Sequence, residues 1–205
     1  MPRHLVIFAR APQAGRVKRR LAKGIGILAA TRFYRATLGT MLRALAADGR
    51  WTVWLFVTPD NSLGHPMWRS LRCRPQGRGD LGQRMRRPFD TLPPGPVVLI
   101  GSDIPALRPH HIARAFALIG RHDLVLGPAS DGGYWLIASR RLRPLPHPLF
   151  ERVRWSTPQA LADTLETIPA RYSVGFADTL DDVDDASDLC RAMQASRQLT
   201  PVSCP

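Results

Sequence analysis

Apolar residues fall along this chain in short continuous runs, broken by Gly/Pro loops and by stretches of near-helical spacing. Residues 5–9 (Leu-Val-Ile-Phe-Ala) are continuously apolar with β-branched members, which predicts a central parallel strand buried on both faces. A Pro/Gly loop follows at 11–15. Phe33, Leu38, Met41, Leu42 and Leu45 then recur at spacing that predicts an amphipathic helix. Residues 51–57 predict a second strand, closed by Thr58-Pro59-Asp60-Asn61, and Leu71-Arg72-Cys73 a short third. The Gly-rich stretch 77–82 leads into a helix through Met85 and Phe89. Residues 96–100 predict another buried strand, followed at once by Gly101-Ser102-Asp103-Ile104-Pro105. Next come a helix over 109–119 and strands over 123–126 and 134–138, the latter reached through Asp131-Gly132-Gly133. A helix is expected over 157–168, with Thr157 as cap and Pro158 in its first turn. A short strand near 172–176 precedes an acidic turn and a last helix from about Ala186.

Strands alternating with helices argue for an α/β fold, a mostly parallel sheet covered on both faces. With 205 residues and neither repeat nor linker, one domain over 1–205 is expected. The Pro-rich piece 143–148 reads as an ordered surface loop. Apolar residues across 143–150 offer a surface for another copy of the chain. No apolar run approaches the ~20 residues that span a bilayer, and 5–9 is too short for a signal-peptide core. Cys73, Cys190 and Cys204 form neither a zinc pattern nor a disulfide framework. The expectation is a cytoplasmic protein with free thiols.

Charge changes the picture in one half only. Residues 1–102 carry 18 Lys+Arg against 4 Asp, and the remainder 11 Arg against 12 Asp+Glu, within a net charge of +13. The basic half implies an anionic partner. No helix-turn-helix, RRM or zinc-finger signature points to nucleic acid, so phosphate-bearing small molecules are the expected partners. Only Lys18 and Lys23 are lysines. Such a tilt toward arginine has the look of genome composition, which makes a lysine in the first loop the more informative.

Four stretches could carry chemistry. Ala9-Arg10-Ala11-Pro12-Gln13-Ala14-Gly15-Arg16-Val17-Lys18 lies beyond the first strand, where ligands bind in open α/β sheets. Gly15 would let backbone approach an anion, Lys18 offers a compact charge, and the next helix adds N–H donors. A loop of solvated basic residues reads equally well, and the Walker A spacing is absent. Asp103, at the end of a buried strand, could hold Mg²⁺ or Mn²⁺ against a diphosphate, or could simply cap a turn. Asp131-Gly132-Gly133-Tyr134-Trp135 puts a carboxylate and two aromatics beside paired glycines, as a sugar or acceptor pocket would, yet a plain Asp-Gly turn needs the same residues. Asp178, Asp181, Asp182, Asp184, Asp185 and Asp188 read as a solvated helix start, with a second metal ligand from Asp182 or Asp184 as the alternative. Around Asp80, closely spaced glycines leave Arg84 available for phosphate, or mark an ordinary helix start. The six histidines show no ligand spacing.

Taken in order, Phe8-Ala9-Arg10-Ala11-Pro12, Gly15, Lys18, Arg20-Leu21-Ala22, Gly79-Asp80-Leu81-Gly82-Gln83-Arg84-Met85, Gly101-Ser102-Asp103-Ile104-Pro105, Gly127-Pro128-Ala129, Asp131 through Ile137, Trp155-Ser156-Thr157-Pro158 and Asp182-Val183-Asp184 resemble the bacterial DUF2064 family. Its members are small GT-A-fold proteins often labelled glycosyltransferases. More distantly the chain is similar to the nucleotidyltransferases that attach GMP to molybdenum cofactor or to phospholactate.

The resemblance implies a nucleotide-diphospho-sugar transferase (GT-A) fold, three αβα layers around a mixed, mainly parallel sheet. It implies nucleotide contacts from Ala9, Arg10, Ala11, Gly15, Lys18, Arg20, Gly79, Asp80 and Arg84. Metal would be held by Asp103 with Asp182 and Asp184. The acceptor would meet Asp131, Gly132, Gly133, Tyr134 and Trp155, and Lys18, Asp103 and Asp131 would serve catalysis. Where the family usually reads Lys-Thr-Arg-Leu, this chain has Lys18-Arg19-Arg20-Leu21, which removes a hydroxyl. Three functions follow as expectations: glycosyl transfer from a nucleotide-diphospho-sugar to a small-molecule acceptor, nucleotidyl transfer from an NTP with pyrophosphate release, or non-catalytic binding of a nucleotide or protein.

Overall fold

A computed structural model describes residues 1–198. Seven strands form one sheet: β1 (His4–Arg10), β2 (Thr52–Thr58), β3 (Arg72–Pro75), β4 (Val97–Ile100), β5 (Leu124–Pro128), β6 (Tyr134–Ser139) and β7 (Val174–Phe176). Their order is β3-β2-β1-β4-β6-β5-β7. Six strands run parallel, and β6 alone opposes both of its neighbours, β4 and β5. The fold is therefore the α/β type the sequence predicts, with a mixed, mainly parallel sheet.

Alternate residues on each strand point to opposite faces. Leu5, Ile7 and Ala9 of β1, with Val98 and Ile100 of β4, pack under α2 (Ile27–Ala46) and α4 (Pro109–Ile119). Val6, Val97 and Leu99 face the other way, onto Met85 and Phe89 of α3 (Leu81–Thr91) and onto α5 (Ala160–Glu166). Burial on both faces explains why β1 is apolar without alternation. A smaller cluster of Leu21, Ala30 and Val183 joins α1 (Arg19–Ile25) to α2 and to α6 (Ala186–Gln198).

Three expectations are corrected. The helix expected over 157–168 begins only at Ala160. The Thr157 hydroxyl donates backward to the Arg154 carbonyl at 2.7 Å and forms a turn instead of initiating the helix. A separate helix, α1, precedes the expected one, and Gly26 at φ 86 divides the two. The apolar residues of 143–150 offer little surface to a second copy, because Leu149 and Phe150 are buried in the chain's own core. Leu142, just before that piece, is the exposed one.

Cys73 and Cys190 are unpaired, while Cys204 lies outside the described residues. No described helix is long and apolar enough to cross a membrane.

Candidate active site

Parallel pairing of β1 with β4 aligns Ile7 with Ile100, so the loops leaving both strands emerge side by side. Because β6 runs against β4, the turn before β6 reaches the same edge of the sheet. Tyr34 of α2 ties two of these loops together. Its Oη lies 3.0 Å from the Arg10 amide nitrogen that donates to it, 3.0 Å from the Arg10 carbonyl and 3.0 Å from Ser102 Oγ. Burial pushes the Tyr34 phenol pKa up, so it stays a neutral hydroxyl. Sequence reading missed Tyr34 because it falls on the buried stripe of its helix; the only signal is that a buried Tyr hydroxyl needs a partner.

Lys18, at the N-terminal boundary of α1 with φ 45, turns its side chain inward. Its Nζ sits 2.5 Å from Asp103 Oδ2, 2.8 Å from Asp184 Oδ1 and 3.7 Å from Asp182 Oδ2, with 5% of the side chain exposed. Burial alone would lower the amine's pKa; Asp103 and Asp184 outweigh it, and the net shift is upward. Burial and the adjacent Asp103 push the Asp182 carboxyl up to about 7, against the pull of Lys18. The Asp103 carbonyl accepts the Val183 N–H at 3.3 Å, which pins the Asp182–Asp184 segment beside β4. One oxygen from each of Asp103, Asp182 and Asp184 lies within 4.8 Å of the others. Three hard oxygen donors with more negative charge than one lysine balances fit a divalent cation such as Mg²⁺ or Mn²⁺.

The rest of the acidic run has local duties. Asp178 pairs with Arg114 at 2.7 Å, and Asp181 accepts the Ser130 N–H at 2.7 Å. Asp185 accepts the amides of Ser187 and Asp188 at the start of α6.

Beside the carboxylates opens a cavity of about 460 Å³. Asp103, Asp131, Asp182 and Asp184 line one part of it; Leu81, Met85, Tyr134 and Trp155 line another. Arg20 and residues 156–158 also belong to the lining. The Asp131 turn is tight: Asp131 Oδ1 accepts the Gly133 N–H at 2.8 Å, and the Gly132 carbonyl accepts the Leu161 N–H at 3.0 Å. Gly132 takes φ 84, and a Cβ there would stand 2.1 Å from the Pro158 carbonyl oxygen. The wall around Trp155 is held in uncommon backbone, with Phe150 at φ 77, Arg152 at φ 57 and Ser156 at φ 61.

Asp163 of α5 clamps that wall. Its carboxylate accepts the Arg154 amide at 2.9 Å, Nε at 2.9 Å and Nη2 at 2.7 Å. The Arg154 guanidinium and amide hold the Asp163 carboxyl down at about 2, below its ordinary 3.8. A depressed folded-state pKa stabilises above the unfolded value and loses that contribution as pH falls through the folded one. Asp163→Asn is therefore expected to melt a few degrees below wild type at pH 7, with the gap closing between pH 4 and pH 2. Thermal melts of both proteins across that range check it.

Of the residues expected to contact a nucleotide, Arg20 lines this cavity, while Ala9, Arg10, Ala11, Gly15, Gly79, Asp80 and Arg84 are absent from its lining. The Ala9 carbonyl accepts from Gln76 Nε2 at 3.3 Å, the Ala11 N–H donates to Thr58 O at 2.8 Å, and Tyr34 engages the Arg10 backbone. Gly15 has φ 74 and open space where a Cβ would stand. Asp80 caps α3: its Oδ1 accepts the Gln83 N–H at 2.8 Å, and Gln83 Oε1 accepts the Asp80 N–H at 3.1 Å. Near Gly79, Arg84 donates to Gln76 Oε1 at 3.1 Å; burial and nearby Arg10 lower its pKa, leaving an electropositive corner. Gln76, 4% exposed, carries no sequence signal, because its role depends on where β3 ends beside β2.

The fold is shared with solved structures. A protein from Desulfovibrio desulfuricans G20, assigned as a nucleotide-diphospho-sugar transferase, superposes with TM-score 0.81 at 26% identity, over 96% of this chain and 89% of that one. The 4-diphosphocytidyl-2C-methyl-D-erythritol synthase of Anaerococcus prevotii matches with TM-score 0.60 at 10% identity, over 96% and 98% of the two chains. Glucosyl-3-phosphoglycerate synthase from Mycobacterium tuberculosis, solved with Mn²⁺, UDP and phosphoglyceric acid, matches with TM-score 0.57 at 14% identity, over 98% and 80%. The architecture is thus that of nucleotide-diphospho-sugar transferases. No curated protein matches the sequence. Residues 41–157, more than half of the chain, match the model of the family described as "Uncharacterized protein conserved in bacteria (DUF2064)". This chain therefore belongs to the DUF2064 family.

Proposed function

We propose that this protein is a metal-dependent glycosyltransferase that uses a nucleotide-diphospho-sugar. The observation that carries the reading is the convergence of Asp103, Asp182 and Asp184 on Lys18 at the mouth of the cavity. A divalent cation held by the three carboxylates would neutralise charge on the leaving diphosphate. The electropositive corner of Arg10 and Arg84 binds the nucleotide, and the cavity beside Asp131 takes the sugar and its acceptor. Lys18 passes its charge from the carboxylates to diphosphate oxygens when the donor arrives.

In the transfer itself, the acceptor oxygen forms a bond to the anomeric carbon while the bond from that carbon to the diphosphate oxygen breaks. The nucleoside diphosphate leaves with the electron pair. The acceptor's hydroxyl proton goes to Asp131: Gly133 holds Oδ1 in place, which leaves Oδ2 to receive it.

The test is incubation with a set of nucleotide-diphospho-sugars and NTPs in the presence of Mn²⁺. Release of nucleoside diphosphate is expected. Release of pyrophosphate would assign nucleotidyl transfer instead, and release of neither would leave a binding domain on this fold.

A further inference from the structure

The division of charge between the two halves of the site restricts the acceptor. Four carboxylates line the cavity, and Arg20 is the only cationic side chain among its described lining residues. Arg20 is itself 3.5 Å from Asp184 and projects 69% into solvent. Lys18 is enclosed by carboxylates, and the nearby Arg154 turns to Asp163. Lys18 and a divalent cation at the triad carry three positive charges, which the carboxylates of Asp103, Asp182 and Asp184 already match, so no positive charge remains for a second anion. The cationic pair Arg10 and Arg84 belongs to the corner where β1–β3 end and is absent from the cavity lining.

Beyond the carboxylates, Arg20 and the hydroxyls of Ser156 and Thr157, the lining is largely apolar. Tyr134 and Trp155 meet edge to face with ring centroids 6.4 Å apart, and Leu81 and Met85 extend the same part of the lining. Aromatic and aliphatic side chains of this kind receive the C–H face of a ring, while the carboxylates accept from hydroxyl groups.

The geometry points to an acceptor that carries neither phosphate nor carboxylate: an uncharged hydroxyl compound with an apolar face. This rests on the reading of the cavity as the acceptor side of a glycosyltransferase. A phosphate or carboxylate placed here would face four like charges with only Arg20, itself paired to Asp184, as a cation, which is how a site rejects a competitor.

Two probes alike except for charge test the inference: phenyl β-D-glucopyranoside and phenyl β-D-glucuronide, titrated calorimetrically into the protein at pH 7.5. The glucoside is expected to bind at least about tenfold more tightly. Trp155→Ala should weaken the glucoside about tenfold or more, consistent with the loss of an aromatic contact face. Leu81→Lys, at the first turn of α3, should reverse the preference by putting a cation in the lining. Equal or tighter glucuronide binding by wild type would overturn the inference, as would no glucoside binding at millimolar concentration. An unreversed preference in Leu81→Lys overturns it independently of how Trp155→Ala folds.

Binding of inorganic pyrophosphate with Mg²⁺, measured on the same protein, keeps the two readings separate. Loss of pyrophosphate binding alone defeats the proposed function, whereas loss of the glucoside preference alone defeats the acceptor class.

Discussion

Asp103→Ala is expected to lose metal-dependent binding of diphosphate, with affinity for pyrophosphate in Mg²⁺ falling by about 100-fold or more, beyond the 10–100-fold that removing an outer-shell partner produces. Asp103 supplies the closest carboxylate to Lys18, at 2.5 Å, and one of the three oxygens that converge within 4.8 Å. Without it, Asp182 and Asp184 leave a donor set too sparse to order a hard cation against its hydration shell. Binding in EDTA should be weak and nearly the same in wild type and variant. Calorimetry with and without Mg²⁺ separates the two conditions, and an unchanged metal-dependent affinity would refute the role given to Asp103. The fold should persist, because the Asp103 backbone contact with Val183 does not involve the side chain.

Gly132→Ala is expected to destabilise the protein by about 2–4 kcal/mol, from a left-handed backbone position combined with a backbone clash. Open space at Gly15 makes Gly15→Ala the control: it has the φ penalty alone, about 1 kcal/mol. At Gly132 the new Cβ would meet the Pro158 carbonyl at 2.1 Å, and backbone cannot rotate away as a side chain can. The 129–133 turn and the 157–161 segment must separate, which breaks the bond from Leu161 N–H to the Gly132 carbonyl. Denaturant titration measures both variants. A Gly132→Ala protein no less stable than Gly15→Ala would show that the two segments do not touch as described.

The sequence exposes this site unevenly. Asp103 and Asp131 stand in short Gly-flanked stretches next to apolar runs, so topology alone places them at the ends of strands. Direction is harder to read. The apolar run of β6 reads the same whether it runs with or against β4, and only that reversal brings Asp131 to the edge where Asp103 lies. Lys18 is recognisable as unusual in an arginine-rich chain, but its seat among carboxylates depends on Asp182 and Asp184, more than 160 residues away. Thr157 followed by Pro158 has the composition of a helix start, yet the hydroxyl finds the Arg154 carbonyl first. Gln76 and Tyr34 are invisible for a common reason: each is a polar group inside the core, and its partners include backbone atoms that no residue identity encodes.

The wall at Phe150, Arg152 and Ser156 has a consequence for how this family can diversify. Each of these residues holds a left-handed backbone at about 1 kcal/mol or more. The segment keeps that shape because Phe150 is anchored in the core and Asp163 grips the Arg154 amide. The contour of the cavity is thus written in main chain and in two anchors set back from it. Among the side chains that face the interior, Trp155 rests on the Phe150 ring, with centroids 6.1 Å apart, and so shares one of those supports, whereas Leu81 comes from α3. Exchange at Leu81 would reshape the cavity for a new acceptor while the Asp163 clamp on the Arg154 amide stays in place, whereas a change at Asp163 or Phe150 would alter the wall itself.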